Sequence, residues 1–566
     1  MNQWREVDKF HIRYKLGRYL INATLGRVIY TCKRRASVES NRRRDMKAVA
    51  LLVLATVTCW CVPPSDGANI LAIFAAESRS HWIVFREMLV ELGRRGHHLT
   101  VLAPFQEQHE NWELLKMADP QMDHRRINFL VFEKIPTILQ LMFLFYMSVD
   151  QCRKIMEDAA VQTLLQSQDR KLDLIIFETF VQDCLLGFAH KFKVPVVAAS
   201  PIAGGSSWIN DMIGNPYPLA YVPETALPYT GNMNLFQRAN NVLTASVYRF
   251  CRRFFYLPSM DEIAREHFKD PAMPALADLE RNTSLVLSIS HFSFHHVKPM
   301  LPNMVEVAGM HIKPPKKLPQ DLQTFMDAAK DGVIYFSLGS NVRSADLPED
   351  YRNIFFSVFS KLKTKVLWKF EVDSFPNMPA NVKIDKWFPQ SDILAHKNLK
   401  FFMTHGGMMS LQESLYNGVP LLGFPIFGDQ TPNLLKGQEN GYAIMLKFSN
   451  LTEESLGWAV NEMLTNPNYM ENAKKYSRLF HDRPEKPLDT AVNAVEYVVR
   501  HGGARHMRSA ALDLAWYQYL LLDVLLFVLA CAAAAVAAAV VTAKAIVGVI
   551  SRSGSAFSKE KGSKRD

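Results

Sequence analysis

His405, Gly406 and Gly407 stand where a short apolar run, Leu399 to Met403, gives way to a helical stretch, Met408 to Asn417, that Gly418 and Pro420 stop. A histidine, two permissive glycines and the free N–H groups of a helix start, all at the carboxyl end of a buried strand, make an anion site. Glu413 lies within that helix. Asp429 and Gln430 follow the next strand, Val419 to Pro425, at the same sheet edge, and Thr431-Pro432 opens a further helix. Carboxylates and an amide suit sugar or ribose hydroxyls, Trp387 offers a flat face to a base, and Gln390 supplies more hydrogen bonds. Phosphate, base and hydroxyl recognition therefore converge on one stretch.

A second reactive group lies far upstream. Asn69 to Phe74 reads as a strand, Ala75 to Ser80 as a loop, and His81 begins a helix whose Trp82, Phe85, Met88, Leu89 and Leu92 form one apolar face; Leu99 to Ala103 is the next strand. At that helix start the dipole disfavours imidazolium and leaves a neutral ring able to accept a proton. A histidine capping a helix in a solvated loop fits the position equally well. A base would need an acid on its other nitrogen, and Leu172 to Cys184 offers two: Glu178 at a strand end and Asp183 opening the next helix. Gly332 to Gly339 is another buried strand ending in a glycine turn with Ser340 and Asn341. A helix, Tyr351 to Leu362, and a strand, Lys365 to Phe370, follow it.

Taken together these stretches resemble the UDP-glycosyltransferase family. Trp387, Gln390, His405, Glu413, Asp429 and Gln430 meet its pattern of W-x-P-Q, [ST]-H-[GC]-G, a following glutamate and D-Q; Ser78 to Trp82 meets S-x-S-H-[FW]; Ser337 to Ser340 meets S-L-G-S. The resemblance spans about Asn69 to Gln518 and implies an α/β, GT-B fold: two facing Rossmann-like, doubly wound domains with a nucleotide cleft between them. It implies that His81 is the general base. Ser340, His405, Gly406, Gly407 and Ser410 would face the diphosphate without a metal, Glu413 the ribose, and Asp429 with Gln430 the hexose. As the acid orienting His81, Asp183 is favoured over Glu178, which stands where plant and vertebrate relatives carry Asp. Met409 departs from the pattern, since many relatives carry Asn there and Met cannot donate to phosphate; Ser410 covers part of that role. The implied reaction is inverting transfer of a hexose from a UDP-sugar to a hydroxyl of a small lipophilic alcohol or phenol, in detoxification or metabolite conjugation, with no prosthetic group. The insect-like pattern of Glu178 and Asp183 favours UDP-glucose over UDP-glucuronic acid as donor. Phe129 to Met147 and Pro201 to Val222, rich in aromatic and apolar residues, would line the acceptor pocket.

The remaining chain sets these domains in order. Residues 1–45 form a basic extension and 46–68 a signal peptide with an apolar core from Lys47 to Cys61. Residues 69–310 are the acceptor domain and 311–502 the nucleotide-sugar domain, joined by the proline-containing hinge Lys313 to Lys317. A juxtamembrane segment, 503–523, carries Trp516, Tyr517 and Tyr519; 524–543 is an uncharged span of about twenty residues, long enough to cross a bilayer, and 544–566 a basic cytosolic tail. The expected location is the endoplasmic-reticulum membrane, single-pass type I, with a lumenal body whose Asn282-Thr283-Ser284 and Asn450-Leu451-Thr452 are glycosylation sequons. The net charge of +10 comes largely from the two ends, and no zinc-ligand spacing or nucleic-acid motif accompanies it, so nucleic acid is not the expected partner. Ala75 to Ser80 contains no glycine, which argues against a dinucleotide fingerprint. Cys152, Cys184 and Cys251 are an odd set without framework spacing, so stability is expected from a packed core rather than from disulfides. Homo-oligomerisation stays open. The competing function is a membrane-anchored binding protein that has lost transfer, with Met409 its local hint.

Overall fold

The computed structural model describes residues 67–118, 135–340, 342–376 and 378–562. The basic extension, residues 46–66 of the signal segment, Phe129 to Lys134 of the first aromatic stretch and Asn341 lie outside the described residues. Seven strands form the first sheet: β1 (Asn69–Ile73), β2 (His98–Ala103), β3 (Trp112–Lys116), β4 (Leu174–Glu178), β5 (Val196–Ser200), β6 (Leu285–Ser288) and β7 (Met304–Glu306), in the order β3-β2-β1-β4-β5-β6-β7. Six form the second: β8 (Val333–Ser337), β9 (Lys365–Lys369), β10 (Val382–Asp385), β11 (Leu399–Thr404), β12 (Leu421–Gly423) and β13 (Ala443–Met445), in the order β10-β9-β8-β11-β12-β13. Each ladder is parallel. Most of the strands are near-continuous apolar runs because helices cover both faces of each sheet. Both orders reverse direction once, between β1 and β4 and between β8 and β11, and those two switch points are where such sheets bind ligands.

The helices that matter for the site are few. α1 (Arg79–Arg94) buries Trp82, Phe85, Met88, Leu89 and Leu92, the predicted face, against β1 and β2. α2 (Thr137–Glu157) and α3 (Leu235–Cys251) pack together through Phe145 and Tyr248, whose rings stack at 4.9 Å. In the second sheet α4 (Met408–Tyr416) follows β11 and α5 (Gln430–Glu439) follows β12. α6 (Pro487–Arg500) crosses back to the first sheet, where Arg95 at the end of α1 donates to Glu496, Asp489 and Asn493. α7 (Leu522–Gly562) contains the segment Leu522–Ser553, which among the described residues is long and apolar enough to cross a membrane.

Both sheets belong to one compact unit, Ala68–Asp566. Gln412, fully buried on α4, locks them together: its amide donates to the carbonyl of Ile289 at 2.9 Å and accepts from the N–H of Gly309 at 2.8 Å. In the stretch expected as a hinge, Lys313 pairs with Glu87 of α1 at 2.7 Å.

One expectation fails here. Cys152 of α2 and Cys184, in the turn after β4, form a disulfide. Their separation of 32 residues matches no local motif, and it is the packing of α2 alongside that turn that brings them together.

Candidate active site

Strand register decides which groups meet. Ile73 of β1 is level with Phe177 of β4, so Glu178 emerges at the first switch point beside the loop that leads into α1. His81, in the first turn of α1, reaches it: Nδ1 lies 2.8 Å from Oε1 of Glu178. A carboxylate there can only accept, so the proton sits on Nδ1 and Nε2 is left as the free base. The Phe180 ring stands edge-on to the imidazole at 4.8 Å between centroids and fixes its plane.

The sequence favours Asp183 as the partner of His81; the structure brings Glu178 to it instead. Between the two acids the chain turns over at Val181, whose φ of 58° is a left-handed conformation strained for a β-branched residue. Beyond that turn Asp183 points into the interior. It accepts from both Nη atoms of Arg252, at 3.1 and 3.3 Å, and from the Tyr256 hydroxyl at 2.6 Å. Arg252 also donates to Glu280 at 2.5 Å and lies over the Trp208 ring at 3.9 Å. Burial, helped by the Asp183 charge, holds the Tyr256 proton well above the usual phenol range.

The second switch point gathers the other candidates. His405, after β11, is wedged between two glycines: a Cβ on Gly339 would come within 2.6 Å of the ring and one on Gly407 within 2.5 Å. Gly406 adopts a φ of 86°, which a side chain would strain. Burial, reinforced by the Lys369 charge, takes His405 down to about 4, so the ring is neutral at pH 7 and donates without carrying charge. Ser410 and Glu413 lie on α4, both bonded by the Gln390 amide, at 3.2 and 2.5 Å, while the Tyr335 hydroxyl donates to the Gln390 carbonyl at 3.3 Å. Burial pushes Glu413 up to about 7, opposed by the Gln390 bond. Trp387 is 56% exposed, with the Arg79 guanidinium 5.5 Å from its ring centre. Ser340 follows the Gly339 turn beside them. Met409 packs its thioether against the core.

Asp429 stands at the N-cap position of α5 without a side-chain capping bond, with Gln430 in the first turn. The Gln430 carbonyl accepts from the N–H groups of Ile426, at 2.8 Å, and Phe427, at 3.2 Å, and so shapes the loop after β12. Burial raises the Asp429 carboxyl, offset by a hydrogen bond from Asn433 and by His81, which is near enough to act on it across the cleft. Asn433 ties the cluster together, donating to Asp429 at 2.9 Å and to the carbonyl of Gly406 at 3.0 Å. It was missed in the sequence, where its signal is spacing: one helical turn past Asp429, it shares a face with it.

A cleft opens beside Asp429, walled by Ile202, Tyr217, Val222, His295 and Lys298 from the first sheet's side and by Pro432 and Lys436 from the second's. Pro201 to Val222 thus contributes to the lining, whereas residues 135–147 form the start of α2 and do not. Burial brings Lys298 down to about 7 and His295 to about 3.

Residues 69–553 match the family model described as UDP-glucoronosyl and UDP-glucosyl transferase. The chain is 38% identical over 487 residues to UDP-glucosyltransferase 2 of Dactylopius coccus, covering 85% of this chain and 93% of that protein. It is 30% identical over 502 residues to UDP-glucuronosyltransferase 2B7 of Homo sapiens, covering 85% and 94% respectively. Among solved structures, the glycosyltransferase VinC in complex with dTDP superposes with a TM-score of 0.52 at 14% identity, over 77% of this chain and 99% of that one. UDP-glucose:anthocyanidin 3-O-glucosyltransferase in complex with UDP does so with a TM-score of 0.50 at 17% identity, over 77% and 100%. At these identities the structural likeness is one of fold.

Proposed function

The chain belongs to the UDP-glucuronosyl and UDP-glucosyl transferase family, and we propose that it moves glucose from UDP-glucose, with inversion, onto a hydroxyl of a small lipophilic acceptor. The observation that carries this reading is the His81–Glu178 pair at 2.8 Å, set across a cleft from Asp429. Nε2 of His81 removes the acceptor proton as that oxygen attacks the anomeric carbon, and Glu178 stabilises the imidazolium that forms. The carbon–oxygen bond to UDP breaks on the opposite face. His405, the Gly406-Gly407 turn, Ser410 and Ser340 face the diphosphate as charge develops on it. Asp429 and Gln430 hold hexose hydroxyls, Glu413 the ribose, and Trp387 with Gln390 the base. The apolar walls at Ile202 and Val222 suit phenols and other lipophilic alcohols, a substrate range consistent with detoxification.

The body lies in the lumen of the endoplasmic reticulum, anchored by α7 as a type I protein. The Cys152–Cys184 disulfide supports an oxidising compartment, and Asn282 and Asn450 are both exposed for glycosylation. The test is UDP release and product mass from membranes bearing the chain, with UDP-glucose and UDP-glucuronic acid offered separately to a panel of phenols beside His81→Ala. A glucoside that disappears in the variant is the expected result. Donor binding without transfer from either sugar would overturn the reading.

A further inference from the structure

We propose that Arg79 closes the nucleotide end of the cleft from the first sheet's side, its guanidinium lying over the donor's uracil while Trp387 lies under it. This rests on the reading of Trp387 as the platform for the nucleobase and adds a second wall from the opposite domain. Arg79 is the first residue of α1 and stands at the variable position of the S-x-S-H-[FW] stretch, so the pattern that marks His81 gives it no role. The helix gives it none either. A cation at a helix N-terminus opposes the macrodipole, and the first turn of α1 holds no acidic residue to offset it. Among the described residues no carboxylate pairs with the guanidinium. The contact it does make crosses the cleft, to the Trp387 ring, whose centre is 5.5 Å away.

Both side chains are exposed, and a guanidinium on an indole holds weakly while both faces are wet; the attraction grows when a third flat group shuts water out. A guanidinium suits that place because it is planar, always charged and weakly hydrated, and stacks on aromatic faces. Flat groups in contact lie about 3.5 Å apart, so a nucleobase between the two walls needs about 7 Å. A withdrawal of the guanidinium by roughly 1.5 Å from its present 5.5 Å opens that slot, within the reach of the flexible arginine arm. The occupant is the nucleotide rather than the acceptor. Trp387 stands just before Gln390, whose amide holds Ser410 and Glu413 at the second switch point, whereas the apolar walls Ile202 and Val222 open beside Asp429. His81 lies in the same first turn of α1 as Arg79, so a nucleobase gripped by Arg79 ties the donor to the helix that carries the proposed base.

The experiment uses the full chain purified in detergent. Calorimetry with UDP, kinetics with UDP-glucose and a phenol, and thermal melts compare the wild type with Arg79→Ala, Arg79→Lys, Trp387→Ala and the double alanine variant. Arg79→Ala should weaken UDP binding and raise KM for UDP-glucose by about fivefold, while kcat, KM for the phenol and the melting temperature of the free protein hold. Arg79→Lys should recover little of the loss, because a point charge does not stack. In the Trp387→Ala background the Arg79 substitution should cost less than about twofold, since the slot needs both walls. UDP binding that depends on Trp387 but not on Arg79 would overturn this proposal alone. Full rescue by lysine would move Arg79 to the diphosphate and overturn it, and a lower melting temperature of the free Arg79→Ala protein would make the residue a structural one. A wild type that binds no UDP would remove the donor reading, and the proposal with it.

Discussion

Glu178 and Asp183 are buried carboxylates at one sheet edge, and what separates them is the group each neutralises. Glu178 holds a ring that, as the proposed base, would gain charge during the reaction; Asp183 holds a guanidinium that is always charged. Glu178→Gln should therefore lower kcat by about 10²- to 10⁴-fold with the melting temperature almost unchanged, because the amide still fills the space. Asp183→Asn should cost about 3 kcal/mol of stability, since it strips a buried partner from Arg252, while any kcat loss is smaller than that of Glu178→Gln. Parallel kinetics and thermal melts check both, and a Glu178 variant that loses stability but not turnover would reverse the roles. Glu413 gives a separate test. Its carboxyl sits at about 7, and a ribose hydroxyl donates far more strongly to the ionised form than to the protonated one. UDP-glucose, whose diphosphate stays ionised throughout, should bind about tenfold more tightly at pH 8 than at about pH 6, and Glu413→Gln should abolish that slope. Calorimetry at the two pH values reads this directly, and a flat wild-type profile would remove Glu413 from the ribose.

The elements explain why some of this could be read in the sequence and some could not. The helix face from Trp82 to Leu92, the strands from Leu399 and Val333, and the glycine turns were legible because each is fixed by residues within a few positions of one another. The strand after α4 is shorter than its apolar run, Leu421–Gly423, because hydrogen-bonding neighbours and not hydrophobicity end a strand. His405, Asp429 and Gln430 sit at the expected sheet edge, while the choice between Glu178 and Asp183 turned on one left-handed residue, Val181, that no periodicity announces. Asn433 was hidden as an ordinary helix amide. The disulfide was invisible for a related reason, since its two cysteines meet only through the packing of α2 on the turn after β4. Closing a loop of 32 residues should contribute about 3.5 kcal/mol by restricting the unfolded chain. Cys152→Ser with Cys184→Ser should lower the melting temperature accordingly and loosen the turn that carries Phe180 and Asp183. An unchanged melting temperature in the double variant, equal to that of the reduced wild type, would show the bond adds nothing to the packing.

At the scale of the whole molecule, the chemistry and the anchor constrain each other. As the proposed anchor, α7 would fix one end of the body at a bilayer; α6 folds the chain back onto α1 and Gln412 binds the two sheets across their cleft, so the site would keep a set distance from that membrane. A body on the lumenal side meets an oxidising solution, oligosaccharyltransferase and a lipophilic acceptor pool in the adjoining bilayer; a body on the cytosolic side would meet only the last. Asn282 lies just past a short helix and Asn450 in the turn before Thr452, whose hydroxyl caps the helix that follows. Both asparagines are exposed on the folded surface, so neither glycan would have to be accommodated in the core. Digestion with N-glycosidase should shift the full chain by two glycans, Asn282→Gln and Asn450→Gln should each remove one, and protease added outside sealed microsomes should trim only the basic tail. A full-length chain that carries no glycan and is digested through its body from the outside would place the site in the cytosol, and the Cys152–Cys184 bond would then need an oxidant that compartment does not supply.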